Sequence, residues 1–560
     1  MKISGNIVNV AMRQIFPGEI TIENGQIVKI RQLDECQFDH FIMPGFVDAH
    51  VHIESSMLVP SEFARIAVIH GTVATVSDPH EIANVLGIEG VEYMIENALQ
   101  VPFHFHFGAP SCVPATSFET SGATLDERAV EQLLQRKEIG YLSEMMNYPG
   151  VLAGDEAVTK KIDAANRLKK PIDGHAPGLT GAQAEKYIAA GISTDHECFT
   201  YEEGLFKIMH GMKVLIREGS AAKNFDALIP LLNDFPDMIM FCSDDKHPND
   251  LVKGHINQLV SKALALNIDL WKVLRAVTLN PVTHYNLSCG LLNEGDSADF
   301  IVVNNLTQFK VLQTYIKGHK VAEEGKSLMH PITSPIVNQF NCKEKIPADF
   351  QIRFDHNLLS AEKDDLNLNR FSVRVIEASD GQLITGTTMV PLTGLYGNDG
   401  CMVPDIKNDI LKLTVVNRYT DAMPAMAFIK NMGIKRGAIA SSVAHDCHNI
   451  LATGVSDELI CKAVNALIRT KGGLAVVTES EELVLPLPVA GIMTNVDAFT
   501  TATAYEEIDA SAKALGSKLT APFMTLSFMA LLVIPQLKLS DKGLFDGTQF
   551  AFVNLLELNA

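Results

Sequence analysis

The middle of the chain alternates short apolar runs, typical of buried strands, with longer segments whose apolar residues recur at helical spacing. Between residues 44 and 285 the helical segments include SEFARIAVIH and LDERAVEQLLQRK. The strand-like runs are GFVDAHVHI, TVATVSD, FHFHFGA, GYLSEMM, PIDGHA, STDHE, MKVLIREG and MIMFCSDD. Eight strands that alternate with helices over this length predict an α/β domain with the (β/α)8 (TIM) barrel fold.

The segments on either side of this region show a different pattern, in which short β-type runs are separated by turn signals. Residues 1–43 contain PGEITIENGQIVKI, where Asn24-Gly25 is a hairpin dipeptide. Similar runs return in residues 286–345, in GLLNEGDSADFIVVNN and VLQTYIKGHKVAEEGK. We predict that both segments together form one small β-sandwich domain, with the barrel of residues 44–285 inserted between its strands.

The last part of the chain, residues 346–560, mixes strand-like and helix-like patterns in irregular order. FSVRVIE, LKLTVVN and LAVVTE have the composition of strands, whereas DELICKAVNALIRTKGG has the periodicity of a helix. This pattern predicts a separate C-terminal α+β domain that is docked on the others, since no low-complexity linker precedes it.

Composition and charge narrow the classes of partner. The chain has 560 residues, 47% of them hydrophobic, and 46 Lys+Arg against 66 Asp+Glu give a formal charge of −20. Such a field repels phosphate backbones and anionic membranes, so nucleic acid and lipid are not expected partners. Nine cysteines without a C-x-x-C pair, together with the lack of a signal-like or membrane-spanning segment, favour a reducing, cytoplasmic location.

Histidines and carboxylates gather at the ends of the predicted barrel strands, where active sites of this fold form. The six residues at these ends are His50, His52, Glu144, His175, His196 and Asp244. His50 and His52 are two apart and therefore point to the same side of their strand. Four imidazoles and two carboxylates suffice for two divalent cations, with Glu144 bridging them through its two oxygens.

Two cations at this position would provide a reactive water. A water that bridges them loses its proton near neutral pH and becomes a nucleophile, and Asp244 is placed to accept that proton. Each histidine taken singly is also compatible with a satisfied interior polar group. The coincidence of six such residues at matching strand ends favours the metal site.

A rival histidine pair lies on the third predicted strand. His104 and His106 in FHFHFG also alternate onto one face, and their phenylalanine neighbours fill the other. No carboxylate accompanies them in the local sequence. We therefore expect them in the barrel interior, or behind the metal ligands, rather than at a metal.

These motifs resemble a known family. MPGFVDAHVHIESS followed by the other strand ends is similar to the amidohydrolase superfamily, whose members are metal-dependent hydrolases. HGTVATVSDPHEIANVLG, IREGSAAKN, FCSDDKHP and the C-terminal AHDCHNI, PLPVAGIMT and IPQLKLSDKGLFDG resemble, more closely, the bacterial adenine deaminases. The likeness covers nearly the whole chain, including the third domain, which most amidohydrolases lack.

The resemblance implies hydrolytic deamination of adenine to hypoxanthine and ammonia, in purine salvage or catabolism. It also implies that the six strand-end residues are the metal ligands, with Glu144 where many amidohydrolases carry a carboxylated lysine. The family is described with manganese or iron, and the ligand set does not distinguish Mn²⁺ or Fe²⁺ from Zn²⁺. The expected partners are adenine and water, and base rates favour a homodimer.

Further residues are predicted to handle protons and to bind the purine. The predicted catalytic residues are Asp244, Glu144, His80 and Arg217, and the predicted substrate-binding residues are Glu81, Asp245, His247 and His445. Structural roles compete with these: Arg217 could pair with Glu218 or Asp244, and His247 could cap the loop before Pro248. We expect the segment that contains His445 to fold over the barrel mouth. The alternative is that its side chains only form hydrogen bonds within their own loop.

Other functions stay open on the sequence alone. A cyclic amidase, or a deaminase of a different heterocycle, would use the same scaffold, although the missing lysine weighs against the cyclic amidases. A metal-binding protein without turnover is disfavoured because none of the six predicted ligands at the strand ends is replaced by another residue type. A cytidine-deaminase-type zinc enzyme is excluded, since the chain lacks H-x-E with P-C-x-x-C.

Overall fold

The computed structural model of the protein describes residues 1–34, 37–220, 222–353, 368–397 and 400–559. Residues 354–367 of the predicted C-terminal domain and Cys36 lie outside the described residues. In the part of the chain that is described, no helix is both long and apolar enough to cross a membrane.

Eight parallel strands occupy the middle of the chain, and each falls on one of the predicted runs. They are Phe46–Val51, Thr72–Ser77, His104–Ala109, Ile139–Met145, Ile172–Gly174, Thr194–Asp195, Lys213–Arg217 and Ile239–Cys242. The first five form one curled ladder and the last three form another. A parallel bridge between Val51 and Asp244 brings the first and eighth strands together. The α/β class and the parallel order are thereby confirmed.

Helices follow most of these strands and cover the sheet. Their bounds are Pro60–Ala67, His80–Leu86, Ile88–Ala98, Glu127–Leu134, Tyr148–Ala153, Glu156–Arg167, Gly181–Ala189, Tyr201–Met209, Phe225–Leu228, Leu231–Asp234, Pro248–Lys253, Ile256–Ala265, Leu270–Val277 and Leu279–Tyr285. Local sequence explains their starts: Asp126, for example, accepts a hydrogen bond from Ala129 N and caps its helix. The strands are apolar on both faces because helices bury the outer face and the interior packs the inner one.

The flanking segments share one eight-stranded sheet. In spatial order its strands are Lys326–Ser327, His319–Glu323, Val311–Ile316, Phe300–Val303, Phe41–Pro44, Lys2–Asn9, Gln14–Glu23 and Gln26–Gln32. The two segments meet where Phe300–Val303 pairs antiparallel with Phe41–Pro44. Alternating isoleucines such as Ile20 and Ile22 point into its core, as the period of two predicts.

The C-terminal part is built on a mixed nine-stranded sheet. Its strands are Gly386–Pro391, Phe371–Glu377, Ala425–Lys430, Ile410–Val416, Ile450–Gly454, Ala438–Ser441, Gly473–Val477 and Glu482–Pro486, with Leu556–Leu558 beside Phe371–Glu377. Helices Asp457–Thr470, Ala498–Ala514 and Pro522–Ser527 accompany it. Short pairings join Ile352–Arg353 to Cys401–Met402 and connect Leu537–Ser540, Gly543–Asp546 and Ala551–Phe552.

Direct contacts fix this part against the parallel strands. Thr494 N donates to Met57 O at 2.8 Å, and Arg65 Nη1 lies 2.9 Å from Asp497 Oδ2. Consequently the end of the chain lies over the loops that leave the parallel strands.

Candidate metal centre and active site

A buried cluster at the carboxyl ends of the parallel strands contains all six predicted ligands, and we call it the strand-end cluster. Its members are His50, His52, Glu144, His175, His196 and Asp244. The strand geometry places them, since each lies at or just after the carboxyl end of a strand in one of the two parallel ladders. Asp244 adopts a φ of 52°, in the left-handed region that is uncommon for a residue with a side chain. Such backbone strain concentrates at functional sites.

Glu144 lies at the centre of the strand-end cluster and is only 3% exposed. Its Oε2 is 2.8 Å from His175 Nδ1 and 3.1 Å from His196 Nε2. Its Oε1 is 3.4 Å from His52 Nε2 and 3.5 Å from His80 Nδ1. Four imidazoles thus converge on the two oxygens of one carboxylate.

Asp244 occupies the other side of the strand-end cluster. Its Oδ1 lies 3.2 Å from His52 Nε2 and 3.6 Å from His50 Nε2, while those two nitrogens are 3.2 Å apart. Burial opposes ionisation of Asp244, but the Arg217 guanidinium and the imidazoles hold its pKa well below the usual value. Burial likewise opposes protonation of His175, but Glu144 and Glu197 outweigh it and raise the pKa of His175 to about 9.

This donor set fits divalent cations. Two groups, His50 with His196 and Asp244, and Glu144 with His175 and His196, each place their ligand atoms within 4.8 Å of one another. Imidazole nitrogens and carboxylate oxygens are the ligands that zinc, manganese and iron accept. Imidazole nitrogens face each other in this cluster, and carboxylates lie beside them. Bound cations would best satisfy the lone pairs of these nitrogens and oxygens.

Arg217 reaches the strand-end cluster from behind. Its Nη1 donates to Asp244 Oδ2 at 2.6 Å, and both its terminal nitrogens contact the Glu197 carboxylate. Of the two pairings considered for Arg217, Asp244 is therefore the observed one, whereas Glu218 lies 2.9 Å from Lys262 Nζ. The sequence analysis missed Glu197, although its position directly after His196 was a usable signal.

A second missed group ties two ligand loops together. Lys207 is fully buried and donates to Glu203 Oε1, Asp195 Oδ2 and Ala176 O, each at 2.8 Å. Glu203 in turn accepts from the backbone of the loops that follow His175 and His196. The i,i+4 pair Glu203 and Lys207 on one helix was the only sequence signal for it.

A second buried cluster joins the parallel strands to the C-terminal part of the same chain. We call it the cross-chain cluster because its residues are far apart in the sequence. It consists of His80, Glu81, His445, Asp446 and His448. His445 Nδ1 is 2.5 Å from Glu81 Oε1, and His448 Nε2 contacts the other oxygen of Glu81. The imidazoles keep the pKa of Glu81 well below its usual value although burial opposes this.

A small cavity of about 20 Å³ separates the two clusters. Nine of the predicted site residues line this cavity: His52, His80, Glu81, Glu144, His175, His196, Asp244, Asp245 and His445. Apolar side chains of the C-terminal part, Leu383, Phe528 and Leu531, cover it, and Phe528 stacks on His445 with ring centroids 5.2 Å apart. The segment with His445 therefore lies over the strand ends.

Three predicted residues stand outside that lining. His50 and Arg217 lie behind it, and His247 lines a neighbouring cavity, where its Nδ1 is 2.7 Å from the Tyr505 hydroxyl. His247 is the N-cap residue of helix Pro248–Lys253, although its side chain makes no capping hydrogen bond.

The rival pair His104 and His106 is separate from both clusters. His104 Nε2 lies 3.0 Å from Asp299 Oδ2 in the flanking sheet, a carboxylate partner that local sequence did not indicate. His106 stacks on Tyr141 with centroids 5.8 Å apart.

Comparison with known sequences identifies two family matches. Residues 41–321 match the sequence model of the amidohydrolase family, and residues 382–551 match that of the adenine deaminase C-terminal domain. The first match spans the strand-end cluster, and the second includes His445 and His448.

Three relatives are similar over almost the whole chain. An adenine deaminase of Sulfurovum sp. (strain NBC37-1) is 53% identical over 555 residues, which is 99% of each chain. Adenine deaminases of Salinibacter ruber and Methanosarcina mazei are 52% and 50% identical, covering 99% of this chain and 98% and 99% of their own lengths.

Proposed function

The chain belongs to the adenine deaminases of the amidohydrolase family, and from this premise we propose how its residues carry the hydrolysis of adenine to hypoxanthine and ammonia. The observation that supports this activity is identity of about half of all residues over 99% of the chain. A role in purine salvage or catabolism follows from the reaction.

The eight parallel strands, joined at Val51 and Asp244, support a (β/α)8 barrel as the scaffold. In this scaffold the loops after the strands converge on one opening. The flanking segments 1–43 and 286–345 would then form the small β-domain, and residues 346–560 the third domain, which covers the opening.

We assign the metal sites to the strand-end cluster. These six residues would hold two divalent cations, and Mn²⁺ or Fe²⁺ is preferred over Zn²⁺ on family grounds. Cations bound there supply Lewis acidity and lower the pKa of water at neutral pH. The residues of the chain have to orient the base and move protons.

Asp244 is the proposed base for the attacking water. When the water oxygen adds to C6 of adenine, one proton must leave it. Asp244 lines the cavity, and its Oδ2 is held by Arg217 at 2.6 Å while its Oδ1 lies 3.2 Å from His52 Nε2. Arg217 therefore acts through Asp244 by holding it ionised and oriented. Its lack of access to the cavity supports a positioning role.

His80 is the proposed acid at the ring. Addition at C6 places charge on N1, which must gain a proton. The amino group must take up the proton that Asp244 accepted from the water in order to leave as ammonia. Asp78 and Glu81 raise the pKa of His80 well above the usual value, although burial opposes protonation. A protonated imidazole beside Glu144 is suited to donate to N1.

Glu81, Asp245 and His445 are the proposed contacts to the polar edge of the purine, while Leu383, Phe528 and Leu531 would exclude water from its faces. Asp245 is oriented by Ser55, whose hydroxyl donates to it. His247 would support this wall through its hydrogen bond with Tyr505.

A substrate panel tests the proposal. Metal-loaded protein is mixed with adenine, adenosine, guanine, dihydroorotate and hydantoin, and ammonia release and the ultraviolet shift are followed. Turnover of adenine alone is expected. Turnover of adenosine without adenine would contradict the specificity for the free base, and opening of dihydroorotate or hydantoin would indicate a cyclic amidase.

A further inference from the structure

A second cavity, of about 150 Å³, opens between the loops that follow the seventh and eighth parallel strands. Its charged lining consists of Glu218, Lys223, Lys246, Asp250, Lys253 and Lys262. None of these residues lines the cavity between the two clusters. Four lysines against two acids are unusual on a chain whose formal charge is −20.

Lys246 is the distinctive member of this lysine cavity. It is only 5% exposed, yet no acceptor in the described part of the chain lies within hydrogen-bond or ion-pair distance of its ammonium group. Other buried lysines have such partners: Lys207 contacts two carboxylates, and Lys412 Nζ lies 2.6 Å from Asp457 Oδ1. A buried cation normally requires a compensating charge, so Lys246 lacks the partner that its position calls for.

The two acids of the cavity and its other two lysines already have partners, and Lys253 Nζ lies 2.9 Å from Glu506 Oε1. Glu218 Oε1 is 2.9 Å from Lys262 Nζ, and Ser220 Oγ donates to Asp250 at 2.7 Å. Lys223 is half exposed and only loosely paired, with 3.8 Å between its Nζ and Glu218 Oε2. Two ammonium groups, those of Lys246 and Lys223, therefore remain available to a ligand.

Size and charge together select the ligand class. One water requires a cavity volume of about 10–15 Å³. The lysine cavity, with about 150 Å³, therefore has room for several waters or for one tetrahedral oxyanion. Lysine is a common partner of phosphate, with which it forms charge-assisted hydrogen bonds. Loops seven and eight are also where phosphate sites recur in (β/α)8 proteins, because both loops present groups to one point.

We propose that the lysine cavity binds a phosphate group, either free phosphate or the phosphate of a monoester such as a nucleotide, with Lys246 as its central contact. The loops of this cavity also reach the active site. His247 N donates to Ser220 Oγ at 2.9 Å, and Ser220 N donates to Asp245 O at 2.8 Å. Occupation of the cavity would thus stiffen the segment that carries Asp245.

Isothermal titration calorimetry of the full-length, metal-loaded protein tests this proposal without relying on turnover. Inorganic phosphate, adenosine monophosphate and acetate are titrated at constant ionic strength and pH. We expect phosphate to bind with a Kd of about 1 mM or below and acetate to give no saturable heat. Binding of adenosine monophosphate alone would identify the monoester as the source, and equal binding of both would show that the phosphate group suffices.

Three variants assign the site. Lys246→Met should weaken phosphate binding at least tenfold, whereas Lys246→Arg, which keeps the charge, should stay within a few-fold of wild type. Lys137→Met is the control, since Lys137 is 90% exposed and precedes the fourth strand, at the opposite end of the sheet. If Lys246→Met does not fold, Lys223→Met at the rim should still weaken binding several-fold. No saturable phosphate or monophosphate binding, or equal affinity in all variants, would overturn the proposal.

Discussion

The strand-end cluster and the cross-chain cluster contain the same kinds of side chain but satisfy their carboxylates differently. In the cross-chain cluster each oxygen of Glu81 has its own close imidazole, from His445 on one side and His448 on the other. In the strand-end cluster the imidazoles of His52, His175 and His196 surround Glu144, and His50 and His52 turn their Nε2 atoms toward each other at 3.2 Å. Hydrogen bonds can satisfy the polar atoms around Glu81, whereas bound cations would best satisfy those around Glu144.

This difference shows why composition alone does not identify a metal site. His80, Glu81 and Asp446 also place ligand atoms within 4.8 Å of one another, as the strand-end residues do. The distinction lies in what the imidazoles face: His50 and His52 turn their Nε2 atoms toward each other, whereas His445 and His448 each face an oxygen of Glu81. We therefore expect metal dependence to reside in the strand-end cluster, and the cross-chain cluster to orient the base and to close the cavity.

Replacement of the central carboxylate should have the largest effect. Glu144→Gln removes the negative charge of the proposed bridging ligand, so we expect the protein to lose one of two metal equivalents. Deamination should fall by about a thousandfold or more, equivalent to about 4 kcal/mol of transition-state stabilisation. Elemental analysis and ammonia release measure the two effects.

The matched control is Glu81→Gln, the same chemical change in the other cluster. It should retain both metal equivalents. If Glu144→Gln keeps its full metal content, or if Glu81→Gln loses metal as well, the contrast between the clusters is wrong.

The strand-end cluster was accessible from the sequence because strand periodicity and the parallel order of the strands place residues from distant segments at one edge. The position of each predicted ligand therefore followed from its own strand. The cross-chain cluster was not accessible in this way, since Glu81 and His445 are 364 residues apart and meet only because the C-terminal part lies against the loops that follow the parallel strands. The sequence suggested that the segment with His445 covers the strand ends. It did not indicate which residues His445 contacts, because those contacts form only when distant parts of the chain pack together.

The residues that support the strand-end cluster were even harder to predict from the sequence. Lys207 and Glu197 act through backbone groups and through Arg217, and these contacts have no sequence motif. The left-handed conformation of Asp244 was likewise not predictable from its residue type.

Glu81→Gln should have the second largest effect, and on catalysis rather than on metal binding. An amide has only one acceptor oxygen, so it cannot accept from both His445 and His448. The cover should loosen, and kcat/KM for adenine should fall about 10- to 100-fold, a typical cost for a partner that orients functional groups. Steady-state kinetics of the metal-loaded variant measure this.

A larger change in KM than in kcat would indicate that Glu81 mainly binds the base, and equal losses would indicate a contact made in the transition state. Unchanged values of both constants would refute any role of the cross-chain cluster in the reaction.

The smallest effect is expected behind the cover, at Lys538. Its ammonium group is fully buried and donates to Leu383 O at 2.6 Å and Phe528 O at 2.9 Å, so it holds two of the residues that cover the cavity. Burial lowers the pKa of Lys538 to about 7, whereas an unfolded chain keeps a lysine pKa of about 10.4. Between these values the unfolded state binds one more proton than the folded state, so the free energy of unfolding rises with pH through this window. The rise is at most about 1.4 kcal/mol per pH unit.

Lys538→Met removes this titration and should flatten the dependence of Tm on pH between about 7 and 10, with metal content unchanged and only a few-fold loss of activity. Thermal unfolding of the metal-loaded protein at several pH values measures the slope, and Lys137→Met, which removes an exposed lysine, should keep the wild-type slope. Because Lys538 has carbonyl partners but, among the residues that the structure describes, no carboxylate partner, its charge is costly to bury, in contrast to the paired histidines of the cross-chain cluster. An unchanged slope in Lys538→Met would mean that the ammonium group stays protonated throughout, and that the carbonyls of Leu383 and Phe528 compensate its burial fully.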